Sequence, residues 1–551
     1  MLDFNAIRHV GRFRDIIGIL FKYGFDGIIE KLDIPGHLLV KKITRIEEGV
    51  SVWARIRLTI EELGPTFVKF GQIMSMRPDL VPKGLLDELK FLQEDVKPEP
   101  FHKIREVVET ALKKPLEEIF DNFEPDPVAA ASLAQVHRAT LKDIGECVAV
   151  KVQRPNIEKT IKADLYLLEL IAHLIHERLE TMRLYNLPGI AAEVRKHILK
   201  ELDFLHEAGN MYIFRLNFEG RNDVFVPTIY PGYTAKTILT MEFVEGVHID
   251  EVDLIKGDRQ AIAQRGIEIT LKQILVDGFF HADPHAGNIR LLPGGIICLL
   301  DWGMVGRLTK EMRYIILDFI AAIVEKDSEK LVQTTLAMAL SVPPLLDETG
   351  LQNEAMDIID VLHLQAFLPV NVGRLFLDFI FLLRQYNVEL RPDYVFMLKS
   401  IMAIEGVGQQ LYPKFNVLEQ AQPFIKRLVL ERLNPITAVK HAASTLSKTS
   451  KLLGGLPERL GKILRNIEGG KLSLQIRHHG LEQINTTLYV AGNRITFGLI
   501  MAAIIVGSSM LVTAGVGPLL FGYPVLGVLG FFVSVIFGLW LIIQMIKGKK
   551  L

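Results

Sequence analysis

Two short segments of the chain carry side chains that together could handle phosphate chemistry. In the first, His281-Ala-Asp-Pro-His-Ala-Gly-Asn288, a carboxylate at Asp283 and an amide at Asn288 stand five residues apart. The second is Asp301-Trp-Gly, which follows after one candidate hairpin. Carboxylate and amide oxygens are the hard ligands that Mg²⁺ prefers. The pattern therefore predicts Asn288 and Asp301 as metal ligands and Asp283 as the catalytic carboxylate that orients or deprotonates the attacking group.

A lysine upstream of these two segments could supply the positive charge that pairs with phosphate groups. Lys151 lies in Val148-Ala-Val-Lys-Val, the pattern in which protein kinases keep the lysine that pairs with the nucleotide phosphates. An isolated match of this kind is more often an exposed lysine at the end of a strand. Here the lysine, the Asp-x-x-x-x-Asn loop and the Asp-Trp-Gly segment follow one another in the kinase order, and this ordered set favours a site for ATP and Mg²⁺.

A kinase-like site also needs a glutamate on a helix to orient the lysine. The acidic run that could supply it contains Glu201, Asp203 and Glu207. On one continuous helix Asp203 and Glu207 would be neighbours, whereas Glu201 would lie about 120° from Glu207 and about 160° from Asp203. We therefore expect these acids to have separate roles.

These side chains require particular elements around them. Residues 127–141 predict strand, turn and strand, and 148–152 predict a further strand. Residues 289–300 predict a hairpin that would bring Asp301 close to the first segment. The 55 residues between the lysine and the last of the acids exceed a plain strand-to-helix connection, so we expect inserted helices over 157–202.

Composition limits the classes of protein to consider. The chain has 551 residues, enough for about three or four domains. Lys plus Arg is 63 against 64 for Asp plus Glu, so there is no overall basic footprint and no nucleic-acid partner is expected. Two cysteines, Cys147 and Cys298, cannot build a disulfide framework or a four-cysteine metal site, and they favour a reduced, intracellular protein.

The C-terminal tract is strongly apolar. Residues 495–546, 52 in all, contain no Asp, Glu, Lys or Arg, and about 20 helical residues cross a bilayer core. The tract predicts two transmembrane helices near 495–516 and 525–546, separated by a break rich in Gly and Pro. A small-xxx-small pair, Ala503 and Gly507, would let the two helices approach closely.

Flanking charges predict the orientation of this hairpin. The segment 436–490 carries eight Lys or Arg against three acids, and the tail after the second span is Lys-Gly-Lys-Lys-Leu. By the positive-inside tendency both ends, and the large soluble part with them, lie in the cytoplasm. We expect 436–490 to be a basic connector, either solvated or in contact with anionic lipid head groups, and 1–59 to form amphipathic helices.

At this point the sequence resembles a known family. Two upstream segments carry part of the resemblance: Leu63-Gly-Pro-Thr-Phe-Val-Lys-Phe-Gly-Gln-Ile-Met-Ser-Met-Arg-Pro-Asp-Leu80 and Leu92-Gln-Glu-Asp-Val-Lys-Pro98. The other parts are the alanine-rich turn that begins at Pro127, the Glu-x-Asp run at 201–203 and the loop 281–288, called the catalytic loop below. Together they look like the UbiB family of atypical kinase-like proteins, linked to ubiquinone biosynthesis. The resemblance covers about residues 60–435, and the connector with its double span resembles the bacterial members.

The resemblance implies a role for each motif. The implied nucleotide-binding residues are Ala129, Ala130, Ala131, Ser132, Lys151 and Glu207. The implied regulatory flap, on an added helical element over the active site, comprises Lys69, Gly71, Gln72, Glu201 and Asp203. Glu201 is expected near Lys69. Asp283 keeps the catalytic role, and Asn288 and Asp301 remain the metal ligands.

The implied fold class is α+β, a protein-kinase-like two-lobed fold with an added N-terminal helical Lys-x-Gly-Gln element and a C-terminal two-helix transmembrane hairpin. The expected domains are N-terminal amphipathic helices (1–59), the helical Lys-x-Gly-Gln extension (60–115), an N-lobe with a helical insertion (116–244), a C-lobe (245–435), the basic connector (436–490) and the two transmembrane helices (495–546).

The implied function is ATP binding with slow hydrolysis in support of quinone synthesis. A glycine loop closes over phosphates because glycine reaches φ > 0, and alanines at 129–131 restrict that freedom, so the nucleotide would be held in an altered pose. At the inner membrane of a bacterium, ATP would drive a step that makes polyprenyl-quinone precursors accessible. Membrane lipids and other quinone-biosynthesis enzymes are the expected partners.

Two alternatives share parts of this pattern. A small-molecule or lipid phosphotransferase would use the same His-x-Asp-x-x-x-x-Asn loop, although the Lys-x-Gly-Gln motif and the spans speak against it. A catalytically silent scaffold would use nucleotide only to hold quinone enzymes together. Such a binding-only site could lose Asp283 freely, so its presence argues against silence.

Overall fold

The structure is a computed structural model that describes residues 10–27, 50–92, 97–249, 251, 257–363, 372–433, 481–515, 517–520 and 523–546. Parts of the predicted N-terminal helices (1–9 and 28–49) and most of the predicted basic connector (436–480) lie outside the described residues. The chain divides into two compact units, Met1–Ala438 and Val439–Leu551.

The described helices and strands of the first unit are numbered in chain order. The helices are α1 (Val10–Lys22), α2 (Val52–Leu63), α3 (Pro65–Ser75), α4 (Lys83–Leu89), α5 (Phe101–Leu112), α6 (Leu116–Ile119), α7 (Ile157–Arg178), α8 (Leu187–Glu201), α9 (Phe204–Asn217), α10 (Arg259–Leu271), α11 (Lys310–Glu325), α12 (Ser328–Met338), α13 (Glu348–His363), α14 (Val372–Gln385), α15 (Pro392–Leu411) and α16 (Val417–Leu433). The strands are β1 (Phe120–Phe123), β2 (Ala129–Ala130), β3 (Ala134–Leu141), β4 (Cys147–Gln153), β5 (Val224–Phe225), β6 (Ile238–Glu242), β7 (Val247–His248), β8 (Phe279–His281), β9 (Ile289–Leu292), β10 (Ile296–Leu299), β11 (Val305–Arg307), β12 (Ala339–Ser341) and β13 (Glu389–Leu390).

An antiparallel sheet carries Lys151. Its strand order is β1-β3-β4-β6, with β2 paired to β3. Val148, Val150 and Val152 alternate along β4 and are buried against Ile104 and Val108 of α5. Because successive side chains of a strand point to opposite faces, this alternation turns the lysine to the other face of the sheet. The predicted strands are confirmed.

The inserted helices between Lys151 and Glu207 are also confirmed, as α7 and α8 with a short 3₁₀ helix between them. The assumption of one continuous helix through the acidic run was wrong. Glu201 ends α8, and Asp203 is the N-cap of α9, where its carboxylate accepts a hydrogen bond from Leu205 N at 3.1 Å. The chain turns between the two helices, so the helical angles expected for these acids do not apply.

The segments 281–288 and 301–303 lie in loops beside short strands that rest on a helical core. β9 and β10 form the predicted hairpin, with Ile289 opposite Leu299, and β8 pairs with β11. Beneath them α10 and α15 pack together, and buried residues such as Ile267 and Val395 join one large apolar cluster. The catalytic loop follows β8 and is therefore held between a sheet and a helix pair.

The N-terminal helices pack against the insertion. Phe67 of α3 and Leu167 of α7 share an apolar cluster. Asp164, buried on α7, accepts hydrogen bonds from Arg12 Nε at 2.7 Å and from Thr66 Oγ1 at 2.7 Å. This carboxylate therefore fastens α1 and α3 to the same point on α7.

The second unit contains α17 (Leu481–Ala514), strands β14 (Leu519–Leu520) and β15 (Tyr523–Pro524), and α18 (Val525–Ile546). Among the described residues one helical stretch, Ile495–Ala514, is long and apolar enough to cross a membrane, and Val525–Leu539 is a shorter apolar stretch.

The two long helices of this unit approach each other at glycines of α18. A Cβ at Gly530 would meet Ser508 Oγ, and one at Gly527 would lie 2.6 Å from Val512 Cγ2. The expectation that Gly507 provides the close approach was wrong, since a Cβ there would have open space around it. The small residues at the contact are spaced i, i+3 on the second helix.

Candidate nucleotide and metal site

An ion pair between the N-lobe sheet and α9 forms the first part of the site. Lys151 Nζ lies 2.8 Å from Glu207 Oε1 and 2.9 Å from Oε2. The Glu207 side chain is 4% exposed, and burial raises the pKa of this carboxyl although Lys151 opposes the shift. Burial alone would lower the pKa of Lys151, but Asp301 and Glu207 outweigh it and raise the pKa, so the lysine stays charged.

Asp301 stands beside this pair. Its Oδ1 lies 3.5 Å from Lys151 Nζ and accepts a hydrogen bond from Gly303 N at 3.1 Å. The residue has φ of 52°, in the left-handed region that non-glycine residues seldom occupy. Desolvation would raise the pKa of the Asp301 carboxyl, but Lys151 and then Lys69 hold it well below its ordinary value. The carboxylate is therefore ionised and, at 48% exposed, open to a ligand.

Asn288 lies directly before β9, across the hairpin from the residue that precedes Asp301. Leu300 N donates to the Asn288 carbonyl at 2.8 Å, which extends the ladder to the residue before Asp301. Asn288 Nδ2 lies 3.4 Å from the Asp283 carbonyl, so the amide oxygen is the atom left for a ligand. An ionised carboxylate and an amide oxygen are hard donors, and this donor set fits Mg²⁺. Among the described residues no cluster of three or more His, Cys, Asp or Glu could hold a metal ion.

The loop that carries Asp283 is fixed at several points. His281 Nδ1 accepts from Asp283 N at 3.1 Å, and its Nε2 donates to the Leu300 carbonyl at 3.2 Å. Burial lowers the pKa of His281, which keeps the ring neutral in this tautomer. Ser400 Oγ of α15 donates to the His281 carbonyl at 2.8 Å. These bonds hold the backbone of the loop while Asp283 remains partly exposed.

Trp302 fills the position where kinases have Phe. It is fully buried, with its ring 4.1 Å from Phe214 of α9 and 4.8 Å from His281, centroid to centroid. Asn210 Nδ2, also on α9, donates to the Trp302 carbonyl at 2.9 Å. Through this aromatic cluster, α9, which supplies Glu207, packs against both the Asp301-Trp-Gly segment and the catalytic loop.

The Lys-x-Gly-Gln element reaches the site through Lys69. Its Nζ lies 2.6 Å from Glu201 Oε1, and both side chains are largely buried. A Cβ at Gly303 would lie 3.2 Å from Asp301 Oδ1 and 3.5 Å from Glu201 Cγ, so Glu201 stands against the Asp-Trp-Gly segment. Burial raises the pKa of Glu201, and Lys69 opposes that shift. The pair thus brings the N-terminal helices to the edge of the candidate metal site.

The other residues of this element hold it in place. Gly71 allows a close contact, because a Cβ there would lie 2.4 Å from Leu92 Cδ1. Gln72 is half-buried on α3. Asp203 caps α9 and does not join the Lys69 pair in the described hydrogen bonds. Arg77, 3% exposed, binds Asp79 at 2.7 Å and Glu193 of α8 at 2.8 Å.

The alanine turn joins β2 and β3. Ala131 N donates to the Ala134 carbonyl at 2.8 Å, and Arg154 Nε donates to the Ala131 carbonyl at 2.9 Å. Ala129 is exposed and Ala130 is half-buried, whereas the Ser132 side chain is buried. Since its Ala131 amide is already bonded within the turn, this loop has less freedom to close over phosphates than a glycine loop has.

Comparison with known proteins identifies the family of this chain. Family models match as the ABC1 atypical kinase-like domain at 91–335, the UbiB helical domain at 356–416 and the ABC1/UbiB kinase-like C-terminal domain at 479–547. A Xanthomonas oryzae pv. oryzae protein named Probable protein kinase UbiB is 31% identical over 521 residues, which are 90% of this chain and 91% of that protein. The chain belongs to the ABC1/UbiB family of atypical kinase-like proteins.

Other similar proteins carry the same name or are solved structures. Probable protein kinase UbiB of Pectobacterium carotovorum subsp. carotovorum is 34% identical over 431 residues, 75% of this chain and 78% of that protein. The structure of Rv3197 with erythromycin from Mycobacterium tuberculosis has a TM-score of 0.46 and 23% identity, over 62% of this chain and 87% of that chain. The match of the ABC1 atypical kinase-like domain at 91–335, together with the mixture of helices and strands, makes the fold of this ABC1/UbiB chain kinase-like α+β.

Sequence reasoning missed several residues of this ABC1/UbiB site. Asn210 donates to the Trp302 carbonyl, and Gln273 accepts from the His281 amide. The sequence could have indicated Asn210, because it follows Glu207 by about one helical turn and so lies on the same face of the helix. Lys399 of α15 places its Nζ 3.8 Å from Asp283 Oδ1. It is distant in sequence from every motif, so no local pattern pointed to it.

Proposed function

We propose that this ABC1/UbiB protein is a membrane-anchored, Mg²⁺-dependent ATP-binding protein that hydrolyses ATP slowly in support of ubiquinone or related polyprenyl-quinone biosynthesis. Its role would be to make lipid-dissolved quinone precursors accessible to the enzymes that modify them. The observation that carries the proposal is the charge chain Glu207–Lys151–Asp301, with the Lys69–Glu201 pair against it.

Each residue of the chain has a distinct chemical task in this proposal. Lys151, oriented by Glu207, would pair with nucleotide phosphates as a fixed cation. Asp283 would orient the attacking water and accept its proton. When bound at Asn288 and Asp301, Mg²⁺ supplies positive charge against the phosphate oxygens.

The flap explains why hydrolysis would be slow and a bulky protein acceptor disfavoured. Lys69 is engaged by Glu201 at 2.6 Å, and Glu201 stands beside Gly303 at the metal segment. A bulky substrate that entered the space occupied by Lys69 and Glu201 would have to separate this largely buried ion pair. Separating the pair would be costly because it leaves uncompensated charge. Water needs no such opening.

The membrane part of the proposal assigns both C-terminal helices as spans. α18 has 22 residues, which at 1.5 Å each reach about 33 Å, close to a bilayer core. The basic residues on both flanks would keep both ends, and the kinase-like unit, at the cytoplasmic face of the inner membrane. An anchor of this kind keeps the ATP site near lipid-dissolved precursors.

The direct test uses the full chain in detergent or lipid nanodiscs. Mg·ATP binding is measured by calorimetry, and phosphate release is followed with and without Mg²⁺. We expect Mg²⁺-dependent binding and slow release of phosphate into water. Transfer to an added small molecule or lipid at a rate above hydrolysis would favour a phosphotransferase, and binding with no release under any condition would favour the scaffold.

A further inference from the structure

The catalytic loop is supported by a helix that lies outside the kinase-like match. Lys399 and Ser400 belong to α15, within the UbiB helical domain at 356–416, whereas the ABC1 domain ends at 335. Ser400 Oγ donates to the His281 carbonyl at 2.8 Å, and Lys399 Nζ lies 3.8 Å from Asp283 Oδ1. Two consecutive residues of the helical domain thus contact the backbone and the carboxylate of one loop.

The charges around Asp283 make this lysine unusual. The loop 283–288 itself contains no Lys or Arg. The two other lysines of the site have carboxylates at hydrogen-bonding distance, 2.8 Å for Lys151 and 2.6 Å for Lys69. Lys399 meets Asp283 at 3.8 Å, which is an ion pair but too long for a hydrogen bond.

The partly buried environment of Lys399 also favours the binding of an anionic ligand beside its ammonium group. Its side chain is 25% exposed, so the ammonium is largely desolvated yet still reachable from the site. Burial lowers the pKa of Lys399, and Asp283 opposes that shift. A second anion beside the ammonium would add a charge-assisted hydrogen bond that the present pair does not make.

We propose that Lys399 binds the terminal phosphate of the nucleotide, so that the helical domain completes the ATP site. In the kinase arrangement the catalytic carboxylate faces the nucleophile that attacks the terminal phosphorus. A cation within 4 Å of Asp283 therefore lies next to that phosphate, where it offsets the repulsion between the Asp283 carboxylate and the phosphate oxygens. This inference rests on the proposed ATP site.

The alternative is a purely structural ion pair, and nucleotide preference separates the two. A lysine that contacts the terminal phosphate discriminates ATP from ADP, because ADP lacks that group. A lysine that only steadies the fold affects both nucleotides alike. The variant Lys399→Met keeps the aliphatic length and removes the charge, while Lys399→Arg keeps a charge. Lys426→Met, at an exposed lysine on α16, is the matched control.

Binding of Mg·ATP and Mg·ADP to the full chain in detergent is titrated for the parent and the three variants. For Lys399→Met we expect the dissociation constant of Mg·ATP to rise about tenfold and that of Mg·ADP to change by less than about twofold. We expect Lys399→Arg to retain most of the preference and Lys426→Met to match the parent. Amine-reactive labelling of the parent, read by mass spectrometry, should show Lys399 protected by Mg·ATP and not by Mg·ADP.

The outcomes separate this inference from the proposed function. A parent that prefers ATP, together with an unchanged ATP-to-ADP ratio in Lys399→Met, overturns the phosphate role alone. Equal labelling of Lys399 with both nucleotides overturns it as well, and this measurement stands even if the variant does not fold. A parent that binds neither nucleotide overturns the proposed ATP site and this inference with it.

Discussion

The site contains more carboxyl groups than ammonium groups before any ligand is added. Its linked core holds three carboxylates and two ammonium groups: Glu201, Glu207, Asp301, Lys69 and Lys151. An excess of buried or half-buried carboxylate is costly unless a cation offsets it. The half-exposed member, Asp301, is the one whose pKa is held low, so it is the carboxylate best placed to take a divalent cation.

Asp301→Asn tests that assignment. The change keeps the shape of the side chain but replaces an anionic oxygen ligand with a neutral one, so we expect Mg²⁺-dependent nucleotide binding to weaken by about tenfold or more. Calorimetric titration with and without Mg²⁺ measures it. Asp121→Asn, at an exposed position of β1, serves as the control. Undiminished Mg²⁺ dependence in Asp301→Asn would remove Asp301 from the metal site.

Asp283→Asn tests the catalytic role. Since the proton acceptor is lost while the loop hydrogen bonds involve the Asp283 backbone, we expect the rate of phosphate release to fall about a hundredfold or more. Affinity for Mg·ATP should change far less. Steady-state hydrolysis and binding on the same preparation give both values. Equal losses in binding and turnover would mean that Asp283 and Asp301 are misassigned.

At the scale of elements, the Lys-x-Gly-Gln element and the alanine turn are each held by contacts beside the candidate site. α3 brings Lys69 to Glu201 at the end of α8, and the Arg77 network ties the end of the same element to α8. The β2–β3 turn has its Ala131 amide and carbonyl both engaged. In our proposal these contacts restrict the movement of both elements around the nucleotide.

Releasing these two constraints is the test at this scale. Ala130→Gly restores a backbone position that reaches φ > 0, so nucleotide affinity or ATP-over-ADP preference should change and autophosphorylation should become measurable. Lys69→Ala removes the cation that faces Glu201, so the flap should loosen and phosphoryl transfer should rise. Nucleotide titrations and autophosphorylation assays on both single variants and the double variant measure this. Parent-like behaviour of both single variants would make the alanines passive and Lys69 a purely structural charge.

The elements differ in how far sequence could predict them. Strand β4 and the β9–β10 hairpin are local, because alternation and the Pro293-Gly-Gly turn define them without help from the rest of the chain. The break after Glu201 was missed although Asp203 is a residue type that prefers the N-cap. Lys399 lies 116 residues beyond Asp283, and only the packing of α15 under the loop brings them together. A contact between residues so far apart in the chain produces no local sequence pattern from which it could be predicted.

At the scale of the whole molecule, one chain contains a kinase-like unit and a second unit with apolar helices. Ser508 of α17 meets α18 where Gly527 and Gly530 remove side-chain bulk, which is the packing expected between helices that have no hydrophobic driving force in lipid. The family match at 479–547 covers both helices. Both helices therefore belong to the family's C-terminal domain, and in our proposal they anchor the kinase-like unit in the membrane.

Reporter fusions test the topology. If both helices span and both ends are cytoplasmic, a reporter after Leu551 should be active only as a cytoplasmic fusion and one inserted at Gly522 only as an external fusion. Truncation before residue 490 should release the protein from carbonate-resistant membrane binding. An external C-terminus, or an internal signal at Gly522, would contradict the two-span arrangement.

The central claim is that ATP turnover at Asp283 supports quinone synthesis, and one measurement tests it directly. Lipid extracts are compared from a strain that lacks this gene and carries either the parent chain or Asp283→Asn at equal membrane levels. We expect the parent to restore the quinone pool and Asp283→Asn to leave an early polyprenyl precursor accumulated. A quinone pool restored equally by both, or unchanged when the gene is deleted, would contradict the claim.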